Sequence, residues 1–212
     1  MSIPSPTPLP PPPGEAARAL HLPGRIVRQV AAFDRRVDQG IDRLRHPTVD
    51  RVMYTATALG DFALVWHILT VARGLRSERD AADTVRASSI LGLETVLVNG
   101  VIKSFFRRTR PTWDQPRAFR IRRPRSSSFP SGHASSAFTA AGVLSEGDRL
   151  RPVYYGVAAV VASSRVYVKI HHASDVIAGA ATGVVLARVA KRLWPQPVDG
   201  SPFSGLRNRR RS

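Results

Sequence analysis

Five apolar segments follow one another at about residues 52–72, 87–106, 132–145, 152–170 and 175–194. All but the third approach the length that crosses a bilayer, about 20 residues. Backbone in hydrocarbon must satisfy its own hydrogen bonds, so such segments fold as helices. Five of them predict an all-α helical membrane bundle of about five transmembrane helices. None is purely apolar: Asp61 and His67 interrupt the first, Glu94 and Asn99 the second, Arg188 the fifth. Polar groups at that depth face the bundle interior or a wet cavity, and His67, Glu94 and Asn99 are read as braces of the bundle. Small residues crowd the later segments (Ala137, Ala140, Ala141, Gly142; Ala158, Ala159, Ala162; Gly179, Ala180, Ala181, Gly183), as close packing between membrane helices requires. The alternative is a soluble bundle of amphipathic helices.

The flanks differ in kind. Residues 1–24 are read as a disordered tail, because residues 4–13 contain seven prolines. No basic segment followed by an apolar core opens the chain, so a cleaved signal peptide is not expected. Within a segment assigned to 25–50, residues 25–45 place Ile26, Val30, Phe33, Val37, Ile41 and Leu44 at helical spacing among arginines and aspartates. They predict an amphipathic helix suited to lying on headgroups or packing on the domain, broken at His46-Pro47. The domain proper is assigned to residues 51–194, and residues 195–212 to a basic disordered tail.

Net charge is +17, which raises nucleic acid as a partner. The charge sits in the N-terminal third, in Arg107 to Arg125 and in the C-terminal tail, with long apolar runs between. No motif interleaves these cations with aromatics, and nucleic-acid binding is not expected. There is no cysteine, which excludes disulfides, thiol chemistry and cysteine metal sites. No carboxylate cluster has metal-ligand spacing, so neither a metal nor another cofactor is expected.

Three short stretches carry the chemistry: Lys103 with Arg110-Pro111, Pro130-Ser131-Gly132-His133, and Ser164-Arg165 with His171 and Asp175. Lys103, Arg110 and Arg165 are three permanent cations suited to cradling phosphate. Ser131 opens an apolar helix, where a serine caps the first turn and exposed N–H groups favour an anion; Gly132 lets backbone approach closely. If all five segments span, alternation puts residues 104–131 and 171–174 on one face, so the three stretches meet. The other arginines nearby (Arg107, Arg108, Arg117, Arg120, Arg122, Arg123, Arg125) are read as topology or headgroup charges.

The pattern KxxxxxxRP, PSGH, SRxxxxxHxxxD resembles the type 2 phosphatidic acid phosphatase (PAP2) superfamily, which includes membrane lipid phosphatases, acid phosphatases and vanadium haloperoxidases. The motifs span residues 103–175, and the likeness extends to roughly 50–194. The resemblance implies a metal-independent phosphoric ester hydrolase with His171 as nucleophile, Asp175 fixing its tautomer and His133 as general acid and base. Lys103, Arg110, Ser131, Gly132 and Arg165 would bind phosphate. His172 stands where relatives carry an aromatic, and Ala173 where they commonly carry proline. The implied substrate is a membrane lipid phosphate, a phosphomonoester or diphosphate of the phosphatidic acid, phosphatidylglycerol phosphate or polyprenyl phosphate type. A soluble acid phosphatase or haloperoxidase-like enzyme is one alternative, and an inactive basic membrane scaffold another. The expected location is the cell membrane, multi-pass. Arginine and lysine crowd the site-bearing side, which by the positive-inside rule points to the cytoplasm; family precedent tips the site outward. Oligomeric state is not legible.

Overall fold

A computed structural model describes residues 24–113, 119, 121 and 126–197. The proline-rich stretch, the basic tail from 198 onward, and Arg117, Arg120, Arg122, Arg123 and Arg125 lie outside the described residues. Among those described, every regular element is a helix.

Helix α1 (Gly24–Asp42) is amphipathic and buries only one residue outright, Asp34. It ends at Asp42, a little short of the 45 read from its periodicity. His46 caps the next helix, its Nδ1 accepting from Thr48 N–H at 3.3 Å, with Pro47 in the first turn. That helix, α2 (Pro47–Gly60), runs through a 3₁₀ turn at Asp61–Ala63 into α3 (Leu64–Gly74). The two are bent by 72°, so the first apolar segment is a broken helix rather than a straight one. Ala63 sits in the left-handed region (φ 56°) at the break.

Helix α4 (Glu78–Thr95) starts on Ser77, whose hydroxyl accepts from Asp80 N–H at 3.1 Å. It continues through a π-turn (Val96–Val101) and a 3₁₀ turn (Ile102–Phe105). Helix α5 (Gly132–Leu144) buries 11 of its 13 residues. At about 20 Å it is shorter than the bilayer because it forms the centre of the bundle, enclosed by α4, α6 (Arg151–Tyr167) and α7 (Ala173–Leu193). Glycine makes the α5–α7 contact close: a Cβ on Gly183 would stand 2.3 Å from Ser135 O, and one on Gly142 2.5 Å from Ala187 Cβ. Residues 195–197 do not leave the domain as expected; Gln196 Nε2 donates to Glu146 O (2.8 Å) and Arg79 Nε to Pro197 O (3.1 Å).

The outer faces are apolar. Leu64, Ile68 and Val71 on α3, Val85 and Leu93 on α4, and Ile177, Val185, Val189 and Leu193 on α7 are all exposed. Meanwhile Arg86, Glu94, Arg165 and Asp175 are buried. Exposed apolar rows of this extent mark a lipid-facing surface. Two stretches, Glu78–Phe105 and Ala173–Leu193, are long and apolar enough to cross a membrane, and α2–α3 makes a third if the bent pair is one span.

Candidate active site

The end of α6 explains how His171 is placed. Its last turn closes with Ile170 N–H and His171 N–H both donating to Arg165 O at 3.1 Å. Lys169 takes the left-handed conformation (φ 54°) that this kind of helix ending usually gives to glycine. A lysine there costs on the order of 1 kcal/mol. Its Nζ is held by the Asp38 and Asp42 carboxylates (2.9 Å to Asp42) and by Asp38 O at 3.1 Å. These contacts from α1 hold the reversal that turns His171 back over Arg165.

His171 is buried, and its Nε2 stands 3.2 Å from Arg110 Nη1. A guanidinium only donates, so Nε2 is the acceptor and the ring proton sits on Nδ1. Nδ1 is 3.7 Å from Asp175 Oδ2, an ion-pair distance longer than the hydrogen bond expected from spacing. That oxygen accepts instead from the Ser128 hydroxyl and from His172 N–H at 2.9 Å. Burial first, then the charges of Arg110 and Arg165, push the His171 imidazolium down to about 3, against the opposing pull of Asp175. His171 is therefore neutral at pH 7. His172 turns away, its Nε2 3.3 Å from Thr109 O, so it does not compete for the position.

The three cations converge. Arg110 donates to Ile170 O (3.0 Å), Ser126 O (3.2 Å) and Ser127 O (3.1 Å). Arg165 donates to Thr57 Oγ1 and keeps Nε without a hydrogen-bond partner among the described residues. Lys103 is buried, where the charges of Arg110, Arg165, Glu94 and Asp175 all act on it. Ser131 caps α5, its hydroxyl accepting from Ala134 N–H at 3.4 Å, while its own N–H donates to Asp175 O at 3.0 Å. Gly132 admits Asn99, whose Oδ1 would lie 2.6 Å from a Cβ there. His133, in the first turn of α5, places Nε2 2.8 Å from Asp61 Oδ1. Gly60 makes room: a Cβ would come within 2.9 Å of the His133 ring. The expected residues thus share one end of the bundle.

Three participants escaped the sequence reading. Asp61, seen only as an interruption, partners His133. Arg108, assigned to headgroup attraction, instead donates to Asp175 Oδ1 at 2.5 Å and to Asp34 Oδ2 at 2.7 Å. Asp34, on the amphipathic helix, carried no visible signal beyond being an acid amid arginines. In the segment after Arg110, Trp113 lies 4.7 Å from the Arg45 guanidinium, which also covers Tyr167 at 4.4 Å, tying that segment to α6.

The PAP2 superfamily model matches residues 84–198. Phosphatidylglycerophosphatase B of Bacillus subtilis (strain 168) is 28% identical over 188 residues, 82% of this chain and 87% of that one. The crystal structure of a transmembrane PAP2-type phosphatidylglycerolphosphate phosphatase from Bacillus subtilis superposes with a TM-score of 0.63 at 25% identity, covering 84% of this chain and 90% of that one. The crystal structure of Aquifex aeolicus LpxE gives 0.58 at 26% identity, covering 74% and 93%. With more than half its length in the family match, the chain belongs to the PAP2 superfamily and is a membrane-associated phosphoric ester hydrolase of that type.

Proposed function

We propose that this protein is a multi-pass membrane phosphatase that hydrolyses a lipid phosphate through a phosphohistidine on His171. The observation that carries the reading is His171 itself: a buried neutral imidazole with Nε2 beside Arg110 and Nδ1 directed toward Asp175. Nε2 attacks phosphorus as the P–O bond to the lipid breaks. Asp175 stabilises the imidazolium that forms. Lys103, Arg110 and Arg165 hold the phosphoryl oxygens, and their charge counts most where water is scarce. The unpartnered Arg165 Nε is a donor available to an oxygen. His133 gives a proton to the departing alkoxide, then takes one from the water that cleaves phosphohistidine, releasing phosphate. Asp61 steadies its imidazole through both steps.

The lipid-facing rows favour a substrate that arrives by lateral diffusion. The names of its relatives make phosphatidylglycerol phosphate the first candidate, with phosphatidic acid and polyprenyl phosphates beside it. The site faces outward in this reading. Thr112 is exposed just beyond Arg110-Pro111, and Thr112→Cys, in a chain free of cysteine, reports the facing; labelling of intact cells by an impermeant thiol reagent means outside.

The test is phosphate release by the detergent-purified protein from a panel of lipid phosphates in EDTA, with His171→Ala in parallel. Release by the wild type that vanishes in the variant and is inhibited by vanadate supports the reading. Absence of release from every lipid overturns it.

A further inference from the structure

Helix α1 lies outside the family match, which begins at residue 84, yet its one buried residue reaches the site. Asp34 accepts from Arg108 Nη2 (2.7 Å) and from Ser174 through both N–H and hydroxyl (2.8 Å each). Arg108 Nη1 donates in turn to Asp175 Oδ1 (2.5 Å) and Ser174 Oγ (2.8 Å). The result is an alternating series of carboxylate, guanidinium, carboxylate and imidazole that starts on α1 and ends at His171. Asp34 is 6% exposed and Asp175 fully buried, so charges in the series act on one another with little screening.

We propose that Asp34 is a positioning residue for phosphoryl transfer, acting through Arg108 on Asp175 and so on His171. The inference rests on His171 being the nucleophile. As His171 is phosphorylated it becomes cationic, and Asp175 must stay negative to stabilise it. An arginine bound to Asp175 alone would cancel that charge. Shared with Asp34, the same guanidinium fixes the orientation of Asp175 while leaving the pair its net negative charge. Ser174, the residue before Asp175, is bonded by the same carboxylate, which anchors the first turn of α7. The other charges acting on His171 and Asp175 are Arg110 after α4, Arg165 on α6 and Lys103 at the end of the α4 extension. All three are positive. Asp61 and Glu94 act on Arg165 and Lys103, and among the described residues Asp34 is the carboxylate that shares Arg108 with Asp175.

The experiment compares full-length, detergent-purified wild type, Asp34→Asn, Arg108→Gln, the double variant and Arg35→Gln, on whichever of phosphatidylglycerol phosphate, phosphatidic acid or a polyprenyl phosphate the wild type hydrolyses fastest. Asp34→Asn should lower kcat roughly tenfold to a hundredfold, as loss of a carboxylate supporting a working histidine does, with KM changed by less than about threefold. The acid limb of its kcat/KM profile should move to lower pH, because Arg108 then opposes the imidazolium unshared. Arg108→Gln should move that limb to higher pH, and adding Asp34→Asn to it should cost little more, since the path runs through Arg108. Arg35→Gln, on the exposed side of α1, should stay within about twofold. Additive losses, an unmoved pH profile, or equal loss in Arg35→Gln would overturn the proposal. If Asp34→Asn does not fold, the direction of the Arg108→Gln shift decides alone. An inactive wild type would sink the phosphatase reading, and this inference with it; an active wild type with an indifferent Asp34 would sink only this one.

Discussion

Each end of the bundle carries a cluster of buried or half-buried arginines, and the two clusters differ in how directly carboxylates pair with them. At the end away from the site, Arg86 is fully buried and every donor group has a protein partner: Nη1 donates to Asp83 (2.8 Å), Nη2 to Glu146 (3.0 Å) and Nε to Trp194 O (2.7 Å). Arg73 beside it reaches Asp80, Asp83 and Asp148 and donates to Leu144 O at 2.7 Å. Carboxylates there match or outnumber arginines. At the site end, Lys103, Arg110 and Arg165 gather around Asp175, whose charge is already shared with Arg108. Arginine ion-paired with carboxylates of its own protein is structural cement; Lys103 and Arg165, with no carboxylate at ion-pair distance among the described residues, are a seat for an anion.

Breaking the chemistry at the site end gives the largest expected effect. His171→Ala should reduce kcat at least about a thousandfold, as loss of a nucleophile does in a concerted site, with elution in detergent and thermal unfolding close to wild type. Next comes the contrast itself. Arg165→Leu should lower kcat about a hundredfold or more while changing stability little, because removing a buried cation ends its desolvation and the repulsion of Arg110, which offset the lost attraction of Asp61. Arg86→Leu should do the reverse, leaving kcat within a few-fold and costing about 3 kcal/mol by removing the nearest cation of Asp83 and Glu146. Paired assays and melts of the two variants check both halves at once. Packing is the third lever: Gly183→Ala, with Ser135 O in its path, should lose about 1–3 kcal/mol from the α5–α7 contact.

The smallest effect is in pH. The His171 value is depressed in the folded state, so the unfolded chain binds a proton that the folded one refuses. Its contribution to stability is complete above the ordinary histidine value of 6.5 and declines as pH falls from there toward about 3. At pH 5.5 the loss is about 1.4 kcal/mol. His171→Gln should lack it, so the stability difference between wild type and variant should narrow by that amount between pH 7.5 and 5.5 in thermal melts.

How much of this was legible depended on distance along the chain. Lys103, Arg110, Arg165, His171 and Asp175 were found because each motif is local and helix ends carry it to one face. The apolar rows were visible for the same reason: each lies on one helix. The bend at Asp61 was hidden, because the partner Asp61 meets there, His133, lies 72 residues on. Arg108 was misassigned because its partners, Asp34 and Asp175, lie 74 and 67 residues away in opposite directions. Among seven neighbouring arginines nothing in residue type separated it from the rest. Helix α1 read correctly as amphipathic, but its docking on the nucleophile loop rests on Lys169, a lysine in a backbone conformation that sequence does not announce.

The central claim is that His171 Nε2 takes the phosphoryl group. Base-quenched turnover of a lipid phosphate, followed by mass spectrometry of the protein and its peptides, tests it directly. The account predicts one added phosphoryl group on the peptide carrying His171, accumulating further in His133→Asn, where hydrolysis of the intermediate is slowed. Turnover with no phosphorylated protein in either form, or with the group on another residue, would contradict it.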